Sequence, residues 1–406
     1  MEHVWRRCAP DVLTALVRRS GDFDTAEDAV QEALLAAAQQ WPDKGVPENP
    51  AGWLTTVAKR RLVDHWRSER ARTDREQLVA GRTPAQTFLA PAADLDNAGE
   101  HDDSLTLLLL CCHPALTRPS QVALTLRAVG GLSTGQIARA FLVPEATMAQ
   151  RISRAKARLR EVEARFRVPA ADQLPDRVAA SAQVLYLAFT EGHTSTTGTG
   201  LYDVSLADEA IRLTRQLHSH LPGAGEVAGL LALMLLSDAR RAARTRSDGF
   251  LVPLAEQDRS LWDQTLIREG IGLVERALPT GPVGPFQLQA AIAAVHAEAA
   301  RAEETDWAQI ETLYRMLGNL APSPVVTLNH AVAVAMVDGP AVGLCLVDPL
   351  LEDPQLARSH RLYAVRGHLL ELDGRANEAR AAYAEAARLA TSIPEQRYLN
   401  AKAVPV

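Results

Sequence analysis

One stretch restricts the fold more than any other. Between Ser120 and Arg160 the chain reads SQVALTLRAVGGLSTGQIARAFLVPEATMAQRISRAKARLR. Gly130-Gly131 and Pro144 divide it into short pieces, each with apolar residues at helical spacing. In the last piece Met148, Ile152, Ala155 and Leu159 recur at intervals of 4, 3 and 4, which assigns one face to burial. The other face carries Thr147, Gln150, Arg151, Arg154 and Arg158. Ser133 or Thr134 is placed to cap the middle helix, with Gln136 positioned for a capping box. Pro144 falls in the first turn of the last helix, where its missing N–H costs nothing. This is the pattern of a helix-turn-helix, in which one face packs and the other enters a major groove. Gln and Arg suit adenine and guanine edges, while the later arginines suit phosphates. The plainer reading of the same charges is a solvated basic helix in a bundle.

The rest of the chain is also helical in pattern. Ala, Leu, Arg and Glu dominate, and β-branched alternation is rare, so an all-α fold is expected. With 406 residues, more than one domain is expected. Apolar residues make up 47% and charged residues 23%, which excludes global disorder. The net charge of −6 excludes a protein that holds DNA by bulk charge alone. That total hides an asymmetry. Residues 1–168 are slightly basic and the remainder is clearly acidic. Lys59–Arg75 holds seven basic residues against three acidic ones, and Arg151–Arg160 holds five with no acid. The polar, Pro-containing stretch 73–100 reads as a linker, and Val168-Pro169 as a second boundary. Three blocks result: 1–72, 101–167 and 170–406.

The first block opens with AEDAVQEALLAAAQQW. Ala26, Ala29, Val30, Ala33, Leu34 and Ala37 share one face of this helix; Glu27, Asp28, Gln31, Glu32 and Leu35 are expected on the opposite one. Asp24 or Thr25 is the expected N-cap. After the turn-forming PDKGVPENP, a second helix carries Trp53, Leu54, Val57, Ala58, Leu62 and Trp66 on its apolar side. Lys59, Arg60, Arg67 and Arg70 lie largely elsewhere. Cations beside aromatics suit nucleic acid, since rings stack on unpaired bases, but Trp53 and Trp66 fit a core equally well.

Taken in order, AEDAVQEAL, NPAGWLTTVAKRRLVDHWR and GLSTGQIARAFLVPEATMAQRISRAKARLR resemble the extracytoplasmic-function (ECF) sigma factors of the sigma-70 class, which keep only sigma regions 2 and 4. The resemblance covers about residues 1–167. It implies two small helical sigma domains, with core RNA polymerase and promoter DNA, duplex at −35 and melted at −10, as partners. Asp28, Gln31, Glu32 and Leu35 would dock the polymerase clamp. The loop Asp43–Asn49 would capture a flipped −10 base, with Asn49, Trp53, Lys59, Arg60, Arg61 and Arg67 holding the −10 strand. Thr147, Gln150, Arg151, Arg154 and Arg158 would read −35. One departure concerns the bend of the helix-turn-helix. Region 4 usually has Gly there, and this chain has Phe141-Leu142-Val143-Pro144.

An ordinary member of that class would end near residue 170. Here Tyr363, Gly367, Leu370, Gly374, Ala379, Tyr383 and Ala386 follow the spacing of a tetratricopeptide (TPR) helix pair. Blurred copies around Trp307–Leu320 and Thr327–Val347 predict an α-solenoid over 170–406, whose concave surface would take a protein or ligand. The whole chain resembles the ECF subgroup with a C-terminal TPR-like extension, in which the extension is expected to regulate activity. The loop Phe189–Gly200 reads as a mobile turn or a ligand loop.

No catalytic constellation, cofactor motif or metal motif is found: there is no HExxH, nucleophile elbow or P-loop. Cys8, Cys111, Cys112 and Cys345 form no CxxC pair, and Cys111-Cys112-His113 reads as small buried residues before it reads as a ligand set. With no signal-peptide core at the N-terminus and no long apolar run, a cytoplasmic protein without membrane contact is expected. Two other readings are a stand-alone helix-turn-helix regulator with a helical-repeat sensor, and an enzyme or scaffold within 170–406. The first lacks a use for the helix pair Ala26–Trp41 and Trp53–Arg67.

Overall fold

The computed structural model describes residues 2–80, 104–141, 143–193, 204–246 and 250–404. Among the described residues the secondary structure is helical, apart from one isolated bridge between Thr245 and Leu251. The chain forms two compact units, Met1–Val184 and Leu185–Val406.

The first unit begins with α1 (Glu2–Ser20), α2 (Phe23–Lys44) and α3 (Pro50–Ala80). Asp22 caps α2 and accepts hydrogen bonds from the Asp24 and Thr25 amides, so the cap lies two or three residues before the one expected at Asp24 or Thr25. Small residues let the helices approach: Ala26, Ala33, Ala37 and Ala58 are fully enclosed where α1, α2 and α3 pack together, and Val12, Leu16, Leu54 and Leu62 are buried with them. Trp41 is buried and meets Trp5 and Trp53 with ring centroids 6.1 and 5.5 Å away. α3 continues to Ala80, well into the expected linker, and the rest of that linker lies outside the described residues.

Next come α4 (Ser104–Cys111), α5 (Arg118–Ala128), α6 (Thr134–Ala140) and α7 (Glu145–Glu161). α4 is buried almost all round, and its thiol Cys111, with the adjacent Cys112, is held protonated by burial. Cys112 Sγ lies 3.7 Å from Thr125 Oγ1, as a small core residue does. The unit runs past the expected boundary at 167 because α8 (Leu174–His193) begins by packing on it. The guanidinium of Arg177 donates to the Leu109 carbonyl at 2.8 Å, and Arg118 donates to the Ala180 carbonyl at 3.0 Å. The division falls inside α8.

The second unit holds α9 (Val204–His220), α10 (Gly225–Asp238), α11 (Gln264–Ala277), α12 (Pro285–Glu298), α13 (Trp307–Leu320), α14 (Pro324–Asp338), α15 (Pro340–Val347), α16 (His360–Leu372), α17 (Ala376–Leu389) and α18 (Ile393–Ala403). Successive helices pack on their chain neighbours. The turns expected at Gly339 and Gly374 occur there, each glycine at positive φ (98° and 76°). Gly367 of α16 lies against the Tyr383 ring of α17, and Tyr383 donates a hydrogen bond to Glu371 at 2.8 Å. The N-terminus of α12 is capped from another helix: Glu226 of α10 accepts from the Phe286 and Gln287 amides at 3.0 and 3.1 Å. The expected loop at Phe189–Gly200 is helical as far as His193, and the remainder lies outside the described residues.

The crossing of α10 and α12 turns on Gly229. A Cβ there would lie 2.6 Å from the Gln287 nitrogen and 2.7 Å from its Cα, both backbone atoms that cannot rotate away. Gly229→Ala is therefore expected to destabilise the second unit by about 1–3 kcal/mol. A lowered denaturation midpoint with unchanged helix content checks this; an unchanged midpoint contradicts the packing described.

Candidate functional site

The face of α7 set aside for DNA is available. Thr147, Gln150, Arg154 and Arg158 are exposed and Arg151 is half-buried, while Met148, Ile152, Ala155 and Leu159 are buried as their spacing predicts. Arg154 donates to Gln150 Oε1 at 2.9 Å, and Arg158 pairs with Glu161 at 3.0 Å. Both contacts are exposed and so hold these side chains only weakly. The element before α7, helix α6, is capped at its start. Ser133 accepts from the Gln136 amide at 3.1 Å, and the Ser133 amide donates to Gln136 Oε1 at 2.8 Å, a reciprocal capping box. At the bend, Phe141 has φ −94° and ψ 6°, a conformation open to any L-residue, so the missing glycine costs nothing at that position. Pro144 is the N-cap of α7 and not a residue of its first turn.

The second set gathers on α3 and the turn before it. Asn49 Oδ1 accepts from the Gly52 amide at 2.9 Å, which starts the helix. Trp53 is half-buried, edge-on to Trp41, so it serves the core while keeping part of its ring open. Lys59, Arg60, Arg61 and Arg67 are exposed, and Trp66 is 38% exposed. This is a basic surface with a partly open aromatic ring at each end.

The third set lies on α2. Asp28 and Glu32 are exposed, Gln31 is half-buried, and Leu35 is 64% exposed. Glu32 reaches Arg61 of α3 at 3.4 Å, joining the second set to the third.

Glu27, expected on this exposed face, is instead buried. Its Oε1 accepts from Arg127 of α5 at 3.2 Å and from Gln31 at 2.8 Å, and its Oε2 lies 3.0 Å from the ammonium of Lys156 on α7. The same ammonium lies 2.9 Å from Asp24 and 2.6 Å from Asp28, and Arg160 meets Asp24 at 2.9 Å. One lysine of the helix-turn-helix thus meets three carboxylates of α2. A signal existed in the sequence: Lys156 is four residues after Ile152 and so lies within the apolar stripe, and Glu27 stands between buried Phe23 and Val30. A charge within a buried stripe calls for a partner, but its identity, more than a hundred residues away, was not visible.

The comparisons with known proteins agree with this layout. Residues 4–72 match the family Sigma-70 region 2, and residues 106–159 match Sigma-70, region 4. The chain is 33% identical over 146 residues to the ECF RNA polymerase sigma factor SigL of Mycobacterium tuberculosis, covering 36% of this chain and 77% of SigL. The chain belongs to the ECF RNA polymerase sigma factors. It is also 28% identical over 157 residues to the probable ECF RNA polymerase sigma factor SigI of the same organism, covering 39% of this chain and 53% of SigI. An uncharacterised protein of Rhizobium meliloti is 44% identical over 393 residues, covering 96% of this chain and 92% of its own length. Residues 177–278 match a family of unknown function, DUF6596. No solved structure matches. In this sigma factor, α2 and most of α3 lie within region 2, and α5, α6 and most of α7 within region 4.

The charge state of Lys156 follows from its setting. Burial works against the ammonium, but Glu27, Asp28 and Asp24 outweigh it and hold the group well above the ordinary lysine range. A raised folded-state value means that the stabilisation is complete below the unfolded value, about 10.4, and is lost only as pH climbs through the higher folded value. Small-angle scattering between pH 7 and about pH 9.5 is therefore expected to show no expansion of the protein. Expansion within that window contradicts an ionised Lys156 as the tie between α2 and α7.

Proposed function

We propose that this ECF sigma factor binds core RNA polymerase and directs transcription initiation at −35/−10 promoters, and that its residues divide the task by surface. Asp28, Gln31, Glu32 and Leu35 of α2 dock the polymerase. Asn49, Trp53, Lys59, Arg60, Arg61 and Arg67 hold the melted −10 strand. Thr147, Gln150, Arg151, Arg154 and Arg158 of α7 read the −35 duplex. The observation that carries this reading is the exposure of these side chains on α2, α3 and α7, whose other faces are buried. The protein performs no covalent chemistry; it supplies polymerase with sequence recognition and a grip on the opened strand. Its place of action is the cytoplasm, in keeping with the finding that no described helix is long and apolar enough to cross a membrane.

The helical C-terminal unit governs this activity through a protein or ligand bound to its TPR-like surface. In support, Met316, Leu320, Val325, Met336, Val337 and Val342 are all exposed on the consecutive helices α13, α14 and α15. Apolar side chains so concentrated favour association.

Run-off transcription with full-length variants tests the division of labour. Arg151→Ala with Arg154→Ala is expected to weaken −35 recognition by roughly 1–3 kcal/mol per lost base contact while leaving core binding intact. Leu35→Asp is expected to do the opposite, lowering core association at unchanged duplex affinity. If the two variants lose the same function, the assignment of surfaces is wrong. For the C-terminal unit, Met336→Glu with Val337→Glu is expected to change promoter output in cells but not run-off yield from purified components. Equal output in cells contradicts a regulatory surface there.

A further inference from the structure

The first unit holds a cavity of about 420 Å³ that none of the three surfaces described above includes. It lies between the end of α4, the segment that follows α7 and the start of α8. Leu109, Leu110 and Arg177 are its buried members, while Glu163, Arg165, Arg167 and Gln173 are exposed at its rim. Its lining thus sets three guanidinium groups against a single carboxylate.

Arg177 is the informative member. It is only 9% exposed, and one of its N–H groups donates to the Leu109 carbonyl at 2.8 Å, satisfying an end of α4 that has no helical partner. A guanidinium carries five N–H donors, and among the described residues no carboxylate pairs with this one. Burial lowers its pKa, and the neighbouring Cys112 thiol alone pulls the other way. A buried charge with donors to spare and no counter-ion is stabilised by an anion. His113 adds to this chemistry. Its Nδ1 accepts from the Ala115 amide at 3.2 Å, and burial with the Arg177 charge lowers its pKa. The neutral ring therefore carries its proton on Nε2, a donor on a residue that lines the cavity.

The rim arginines differ from those before them. Helix α7 closes where the Ala164 amide donates to the Leu159 carbonyl at 2.9 Å and Glu163 takes a left-handed backbone, φ 48°. Before that turn, Arg158 pairs with Glu161 and Arg160 with Asp24. After it, Arg165 and Arg167 have no ion-pair partner among the described residues. DNA phosphates could satisfy two exposed arginines so close behind α7, but the buried Arg177 is out of reach of a duplex.

We propose that this cavity binds a small organic anion, a molecule with one phosphate or carboxylate head and a compact apolar body. The head lies among Arg165, Arg167 and Arg177, and the body rests on Leu109, Leu110 and Val162. The volume is that of a small-molecule site. Because the cavity joins α4, the end of α7 and α8, a bound anion stabilises the first unit.

Calorimetric titration of the full chain with phenyl phosphate and with benzoate tests this. The two probes separate a phosphate head from a carboxylate head, and benzyl alcohol is the uncharged control. At least one anion is expected to bind in a single site per chain and to raise the denaturation midpoint, while benzyl alcohol does neither. Arg165→Ala with Arg167→Ala is expected to weaken binding about tenfold or more, and Arg177→Lys to weaken it also. Glu163→Gln removes the one opposing charge and is expected to tighten binding. The exposed positions keep the test meaningful if Arg177→Lys folds poorly. Arg151→Ala with Arg154→Ala, outside the cavity, is expected to leave binding unchanged. Absence of saturable binding by both anions overturns the site. So does binding that the Arg151/Arg154 variant weakens as much as the Arg165/Arg167 variant, which marks a general phosphate-binding surface instead.

Discussion

An ammonium group enclosed by protein cannot stand alone, and the arrangement of the first unit follows from how Lys156 meets that requirement. Removing such a charge from water is costly unless several acceptors replace the solvent. Three carboxylates on two successive turns of α2 replace it, and they meet α7 on the side that its apolar stripe turns inward. Met148, Ile152, Ala155 and Leu159 lie on that covered side, and Thr147, Gln150, Arg154 and Arg158 on the open side. The electrostatic demand thus agrees with the apolar stripe and ties α7 to α2.

Much of this was legible in the sequence, and the reasons are local. The helical pieces between Ser120 and Arg160 are set by glycine and proline breaks and by apolar residues every three or four positions. Those signals require no knowledge of the rest of the chain. The Gly339 and Gly374 turns are legible in the same way, because a left-handed backbone strongly favours glycine. The outward-facing arginines of α7 follow once its apolar stripe is known.

The features that escaped the sequence are those decided at a distance. Glu27 and Lys156 are separated by 129 residues, so although each lies within an apolar stripe, neither identifies the other as its partner. The continuation of the first unit to Val184 depends on Arg177 finding the Leu109 carbonyl, again a distant partner. The cap of α12 comes from Glu226 on another helix, and local capping rules do not look so far. The start of α2 is ambiguous in the sequence for a smaller reason. Asp22, Asp24 and Thr25 are all good capping residues in close succession, and the choice among them rested on the turn closed by Gly21 at positive φ.

The bend at Phe141 bears on how such chains diverge. A turn that demands a left-handed backbone ties its position to glycine, and nearly every other residue is removed by selection. Phe141 takes φ −94°, which imposes no such filter. Side-chain volume at this position is thus free to vary over generations, constrained only by what the neighbouring helices can accommodate.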